Sequence, residues 1–178
     1  MSDFQVPTKE QVSADNQAIF DNLQKGLGFV PNIYAAMGKS DTALGAYLTF
    51  SGAPTSFSKK EKEVIDLAVS QVNGCSYCQA AHTALAKMNG FTEEQTLELR
   101  KGQASWDPKY DALAKIAKSI SEERGNVSSA AREAFYAAGY NDANLVDLVI
   151  AVGIISVTNF FHNLTKVEVD FPAAPALS

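Results

Sequence analysis

Two helix signatures lie back to back between Ser58 and Gly90, with only Asn73 and Gly74 to separate them. Ser58 and Glu61 have capping-box spacing, in which the serine oxygen takes one free backbone N–H and the glutamate reaches back for another. The segment they open carries Val64, Ile65, Leu67, Ala68 and Val72 at core-facing intervals. A second start follows at about Ser76, where Ser76 and Gln79 repeat the capping-box form. Its apolar positions run through Ala80, Ala81, Ala84, Leu85 and Met88 to Asn89-Gly90. With so short a connection the expected unit is an antiparallel helical hairpin, and the rest of the chain must pack around it.

The remaining chain reads in the same terms. Residues 1–14 form an arm in which Pro7 restricts Val6 to extended backbone. A helix is expected over 15–24 with its glycine cap near Lys25-Gly26, then a turn at Gly28-Phe29-Val30-Pro31-Asn32. Another should start after Ser40 or Asp41, carry Leu44, Tyr47, Leu48 and Phe50, and break at Gly52-Ala53-Pro54. Thr92 and Gln95 cap a short helix through Leu97 and Leu99. Asp107-Pro108 opens one with Leu113, Ile116, Ala117 and Ile120 as its stripe. Ser128–Ala138 is a further helix closed by Gly139, and Asn141 caps a long apolar one from Leu145 to Phe161. The tail, 167–178, is extended through Val169-Asp170-Phe171-Pro172. No period-two alternation is long enough to nominate a sheet, so the fold class is all-α and the chain one domain. Aligning Asp66 with Asp147 suggests a faint repeat that sets Cys75 opposite Ser156, Cys78 opposite Asn159 and His82 opposite Asn163.

Composition removes several function classes. Apolar residues make up 46% and the net charge is -5, with no basic patch interleaved with aromatics, so nucleic acid is not an expected partner. The N-terminus lacks a basic stretch followed by an apolar one, and the apolar run from Leu145 to Val157 falls short of the ~20 residues that span a bilayer. A cytoplasmic protein with no membrane partner is the expectation. In that reducing compartment, a Cys-x-x-Cys pair is more often catalytic or metal-binding than a staple.

The only two cysteines, Cys75 and Cys78, fall in the hairpin, followed by His82 and preceded by Glu63. A thiol reduces peroxide as the thiolate, and a free cysteine near pKa ~8.5 is mostly protonated at neutral pH. Cys78 falls in the first turn of its helix, where unpaired N–H groups favour an anion. His82, four residues on and on the same face, is placed to accept its proton. Cys75 is placed to close a disulfide on a Cys78 sulfenic acid, and Glu63 to orient His82 from the facing helix. Tyr77 is read as a packing residue whose hydroxyl is a candidate auxiliary, and His162 as structural. Two other readings stand beside this one: two buried thiols with an unrelated histidine, or a zinc site of Cys75, Cys78, His82 and Glu63. Against zinc, structural sites commonly draw a second Cys/His pair from elsewhere, and the chain has no further cysteine.

Glu63, Cys75, Cys78 and His82, in the pattern Glu, eleven residues, Cys-x-x-Cys, three residues, His, resemble the redox motif of the AhpD-like alkylhydroperoxidases in the carboxymuconolactone decarboxylase superfamily. Gly28-Phe29-Val30-Pro31-Asn32 and Val169-Asp170-Phe171-Pro172 are similar to features of its peroxidase-related subgroup, so the resemblance covers most of residues 1–178. It implies an AhpD-like helical domain assembling as a trimer or hexamer. It also implies a peroxidase reducing organic hydroperoxides or hydrogen peroxide, with Cys78 peroxidatic, Cys75 resolving and His82 with Glu63 as proton relay. A dithiol, thioredoxin-like or lipoyl reductant and no cofactor or metal complete that expectation. Tyr77 departs from the family, whose best-known members carry a relay histidine at that position. The alternative function is a thiol-disulfide sensing or exchange module without peroxidase activity.

Overall fold

The computed structural model describes residues 4–177. The described residues are all-α, as the sequence pattern requires: α1 (Ala14–Leu27), α2 (Asn32–Met37), α3 (Ala43–Ser51), α4 (Lys59–Val72), α5 (Ser76–Met88), α6 (Glu93–Lys101), α7 (Pro108–Glu122), α8 (Ser129–Ala137) and α9 (Asp142–Thr165). Of the expected N-terminal arm, residues 1–3 lie outside the described residues. The remainder is extended, with a short 3-10 turn at Lys9–Gln11.

Helix α4 is the hub. Val64, Ile65, Leu67, Ala68 and Val69 are all fully buried, because α5, α6, α7 and α9 pack around it. Burying each of the larger aliphatic side chains contributes about 1.5–3 kcal/mol. A smaller second cluster of Val12, Phe20, Ala35, Met37 and Leu44 joins α1, α2 and α3.

Most helix starts lie where their caps predict. Ser58 accepts from the Glu61 N–H, and Thr92, Asp107, Ser128 and Asn141 likewise take a backbone N–H from their own first turns. Four expectations change. α1 runs through Gly26 and ends at Gly28, whose φ of 85° supplies the left-handed cap. The turn at 28–32 leads into an unexpected short helix, α2, started by Pro31. The cap of α5 is Cys75 rather than Ser76.

The fourth change is in α9, which extends to 24 residues and is long and apolar enough to cross a bilayer by length and composition. Its polar side chains decide its place. Ser156, Asn159 and Asn163 hydrogen-bond to the end of α4, so one face of the helix belongs to the core. Val146, Val149, Val157, Phe160 and Leu164 stand exposed on another.

Candidate active site

The hairpin forms as its spacing predicts. After α4 the chain reverses at Asn73 and at Gly74, whose φ of 63° favours glycine. Asn73 ties the reversal to two other helices. Its side chain donates to Asn159 at 2.9 Å and accepts from Ser121 at 3.2 Å, and its carbonyl accepts from Asn163 at 2.6 Å. Gln79 braces the same turn by donating to the Ser70 carbonyl.

The reversal brings Glu63 and His82 together across the two helices, with His82 Nδ1 2.9 Å from Glu63 Oε2. Asp66, one turn beyond Glu63 on the same face, stands 3.4 Å from the same nitrogen. Sequence reasoning missed Asp66 as a site residue, although its i+3 spacing from Glu63 signals it. Burial works against the charged imidazole, but the Asp66 and Glu63 carboxylates outweigh it and lift His82 to about 9. Burial, relieved in part by the His82 charge, raises Asp66 to about 6. His82 is therefore an imidazolium at neutral pH. Among the described residues no hydrogen bond joins it to either sulfur. It can give a proton from this state, whereas the sequence expectation had it accept one.

Both cysteines are free and buried. Cys75 is fully enclosed, and as N-cap its Sγ accepts the backbone N–H of Cys78 at 3.3 Å. A hydrogen bond from the Cys78 thiol, helped by the His162 imidazole and the Cys78 N–H, draws Cys75 down to about 5 against the penalty of burial. The same coupling, with burial, pushes the Cys78 thiol up. The pair shares one proton, and the helix-start N–H favours the anion on Cys75. The Cys78 thiol also lies 3.7 Å from the Thr158 hydroxyl of α9, which donates in turn to the Ile155 carbonyl. No sequence pattern links Cys78 to Thr158, eighty positions away.

A cavity of about 450 Å³ opens onto Cys78, His82 and Asp66, and Cys75 takes no part in its wall. Its lining is mostly apolar, with Phe29, Tyr34, Phe50, Ile154 and Phe171 among the larger side chains. Burial, with Cys78 and Asp66 as its electrostatic neighbours, raises the Tyr34 phenol to about 12, so it stays a donor.

Tyr77 joins the two ends of the chain. Its hydroxyl donates to Asp170 Oδ1 at 2.5 Å and accepts from the Ile33 N–H at 3.4 Å. The other oxygen of Asp170 takes the Asn32 N–H at 2.7 Å. Phe171 packs edge-on to both Tyr77 and Phe29, with ring centroids 5.7 and 5.5 Å apart. The two terminal motifs and Tyr77 thus form one clasp beside the cysteine pair.

By distance, Glu63, Asp66 and His82 form the cation-capable group among the described residues, their ligand atoms lying within 4.8 Å of one another, and neither sulfur joins it. The four-ligand zinc reading is therefore not the arrangement adopted.

Residues 35–119 match the carboxymuconolactone decarboxylase family. Alkyl hydroperoxide reductase AhpD of Mycobacteroides abscessus is 33% identical over 104 residues, which is 58% of this chain and 56% of that protein, so the match spans just over half of the curated relative. An uncharacterized peroxidase-related protein from Ralstonia eutropha JMP134, an alkylhydroperoxidase AhpD core, shares the fold at a TM-score of 0.85 and 21% identity, over 95% of this chain and 92% of that one. One from Silicibacter sp. TM1040 does so at 0.81 and 24%, over 93% and 89%. The debrominase Bmp8, in a complex with 2,3,4-tribromopyrrole, does so at 0.78 and 14%, over 96% and 92%. Residues 35–119 of this chain thus match the carboxymuconolactone decarboxylase family, and the chain has the fold of the AhpD-core peroxidase-related proteins.

Proposed function

We propose that the protein is a cytoplasmic thiol peroxidase acting on organic hydroperoxides. The observation that carries this reading is the division of labour around the cavity: Cys78 and His82 line it, while Cys75 sits behind, against the Cys78 N–H. The Cys78 proton passes to the Cys75 thiolate, and the Cys78 thiolate attacks the peroxide O–O bond. Cys78 becomes a sulfenic acid, and the leaving alkoxide takes a proton from the His82 imidazolium, which Glu63 and Asp66 hold in place. Cys75 then attacks the Cys78 sulfur. The S–S bond forms as the S–O bond breaks, and the departing hydroxide takes the Cys75 proton and leaves as water. A dithiol, supplied by a thioredoxin-like or lipoyl partner, returns two electrons and reopens the disulfide. An aromatic, apolar cavity favours a bulky organic hydroperoxide over hydrogen peroxide, and the relationship to AhpD supports the same chemistry.

Stopped-flow consumption of cumene hydroperoxide with a dithiol donor tests this. Cys78→Ser should reduce turnover to the uncatalysed background, and Cys75→Ser should stall after one turnover with Cys78 oxidised. Activity surviving in Cys78→Ser would remove that residue from the attacking role. Negligible peroxide turnover, with a disulfide that still cycles against a dithiol, would instead establish a thiol-exchange module.

A further inference from the structure

His162 stands outside the Glu63, Cys75, Cys78 and His82 constellation, near the far end of α9, yet the fold delivers it to the redox pair. α9 is registered against the α4–α5 turn by hydrogen bonds on both sides of His162: Asn159 accepts from Asn73, and Asn163 donates to the Asn73 carbonyl. Asn73 is two residues before Cys75, so the imidazole faces the start of α5. Its ring centroid lies 5.5 Å from that of Tyr77. His162 is 3% exposed, and its Nδ1 has no hydrogen-bond partner among the described residues. A buried polar nitrogen in that condition is unfavourable unless some state of the site uses it. The imidazole lowers the Cys75 thiol, and neither residue lines the cavity.

Building on the thiol-redox reading above, we propose that His162 is a second histidine of the site, donating a hydrogen bond to the Cys75 sulfur and holding it as the thiolate of the pair from the side away from the cavity. During reduction the donor thiolate attacks Cys78 and the S–S bond breaks. Cys75 leaves with the electron pair, received by the Cys78 N–H and His162. The two electrons come from the donor dithiol. The other titratable groups around the pair are Cys78 and Tyr77 on α5, with Asp170 of the tail bonded to Tyr77, and His82 with Glu63 and Asp66 across the hairpin. His82 acts on Cys75 only as a more distant charge.

The test needs no peroxide. In reduced Cys78→Ser protein, ultraviolet thiolate absorbance followed against pH reports Cys75 alone. Adding His162→Leu should move its midpoint upward by about one pH unit, and His162→Gln, which keeps a donor, should recover part of that shift. In the reduced wild-type protein, the chain has only two histidines, so a His82→Gln spectrum assigns the His162 ring proton by nuclear magnetic resonance. That resonance should step at the Cys75 midpoint and lose the step in Cys75→Ser, a result that does not depend on His162→Leu folding. An unmoved midpoint in folded His162→Leu protein, or a His162 signal blind to Cys75 ionisation, overturns the proposal. Absent peroxide turnover with both titrations as expected would fault the peroxidase reading and leave this one standing; normal turnover with an unmoved midpoint would do the reverse.

Discussion

His82 illustrates how one side chain's partners set its chemistry. Alone on an alanine-rich helix it would titrate near its ordinary value of 6.5, whereas between Glu63 and Asp66 it is lifted to about 9. A raised folded value means that its contribution to stability is present in full below about 6.5 and is lost as pH rises through about 9. The difference in thermal midpoint between wild type and His82→Gln should therefore be largest in mild acid and shrink toward pH 9 and above. Parallel pH curves for the two proteins would show that the imidazole is not held charged by its carboxylates. Glu63 was legible as its partner from the family-like spacing. Asp66 was not singled out, because an aspartate one turn along a helix looks like any solvated residue until the facing helix covers it.

The tail after α9 and the short helix α2 depend on each other. α2 has only six residues and Pro31 as its cap, and a proline offers no side-chain acceptor. Asp170 supplies the missing acceptor from the other end of the chain while also receiving the Tyr77 hydroxyl. Tyr77→Phe removes one hydrogen bond from a buried ring to the exposed Asp170 carboxylate, and should lower unfolding free energy by about 1 kcal/mol. Denaturant titration reads that loss, and the Cys75 thiolate midpoint should stay close to wild type. A large move in that midpoint with little loss of stability would instead return Tyr77 to the proton relay. The capped helices were legible because their signals lie within four residues of the start. α2 was not, because its stabilising acceptor lies 138 positions away.

At the scale of the whole molecule, the apolar side chains left outside the core lie mainly along α9. Val146, Val149, Val157, Phe160 and Leu164 recur at helical spacing on its exposed side. A stripe of that kind fits association between copies of the chain. The protein should elute as an assembly larger than its 19.1 kDa chain, and Phe160→Glu with Leu164→Glu should shift it toward monomer in light-scattering chromatography; a wild-type monomer at micromolar concentration would reject association through this face. The sequence by itself determined the all-α class and the hairpin with its reversal at Asn73-Gly74, since each follows from local periodicity and caps, while the pairing of Glu63 with His82 came from the spacing shared with a known family motif. Only the tertiary structure decided which sulfur faces the cavity and which one caps α5. It also decided that Tyr77 serves a clasp and that the His162 ring lies against Tyr77 at the start of α5. Those outcomes depend on α9 and the tail folding back over α5, and contacts between segments so far apart leave no periodic trace along the chain.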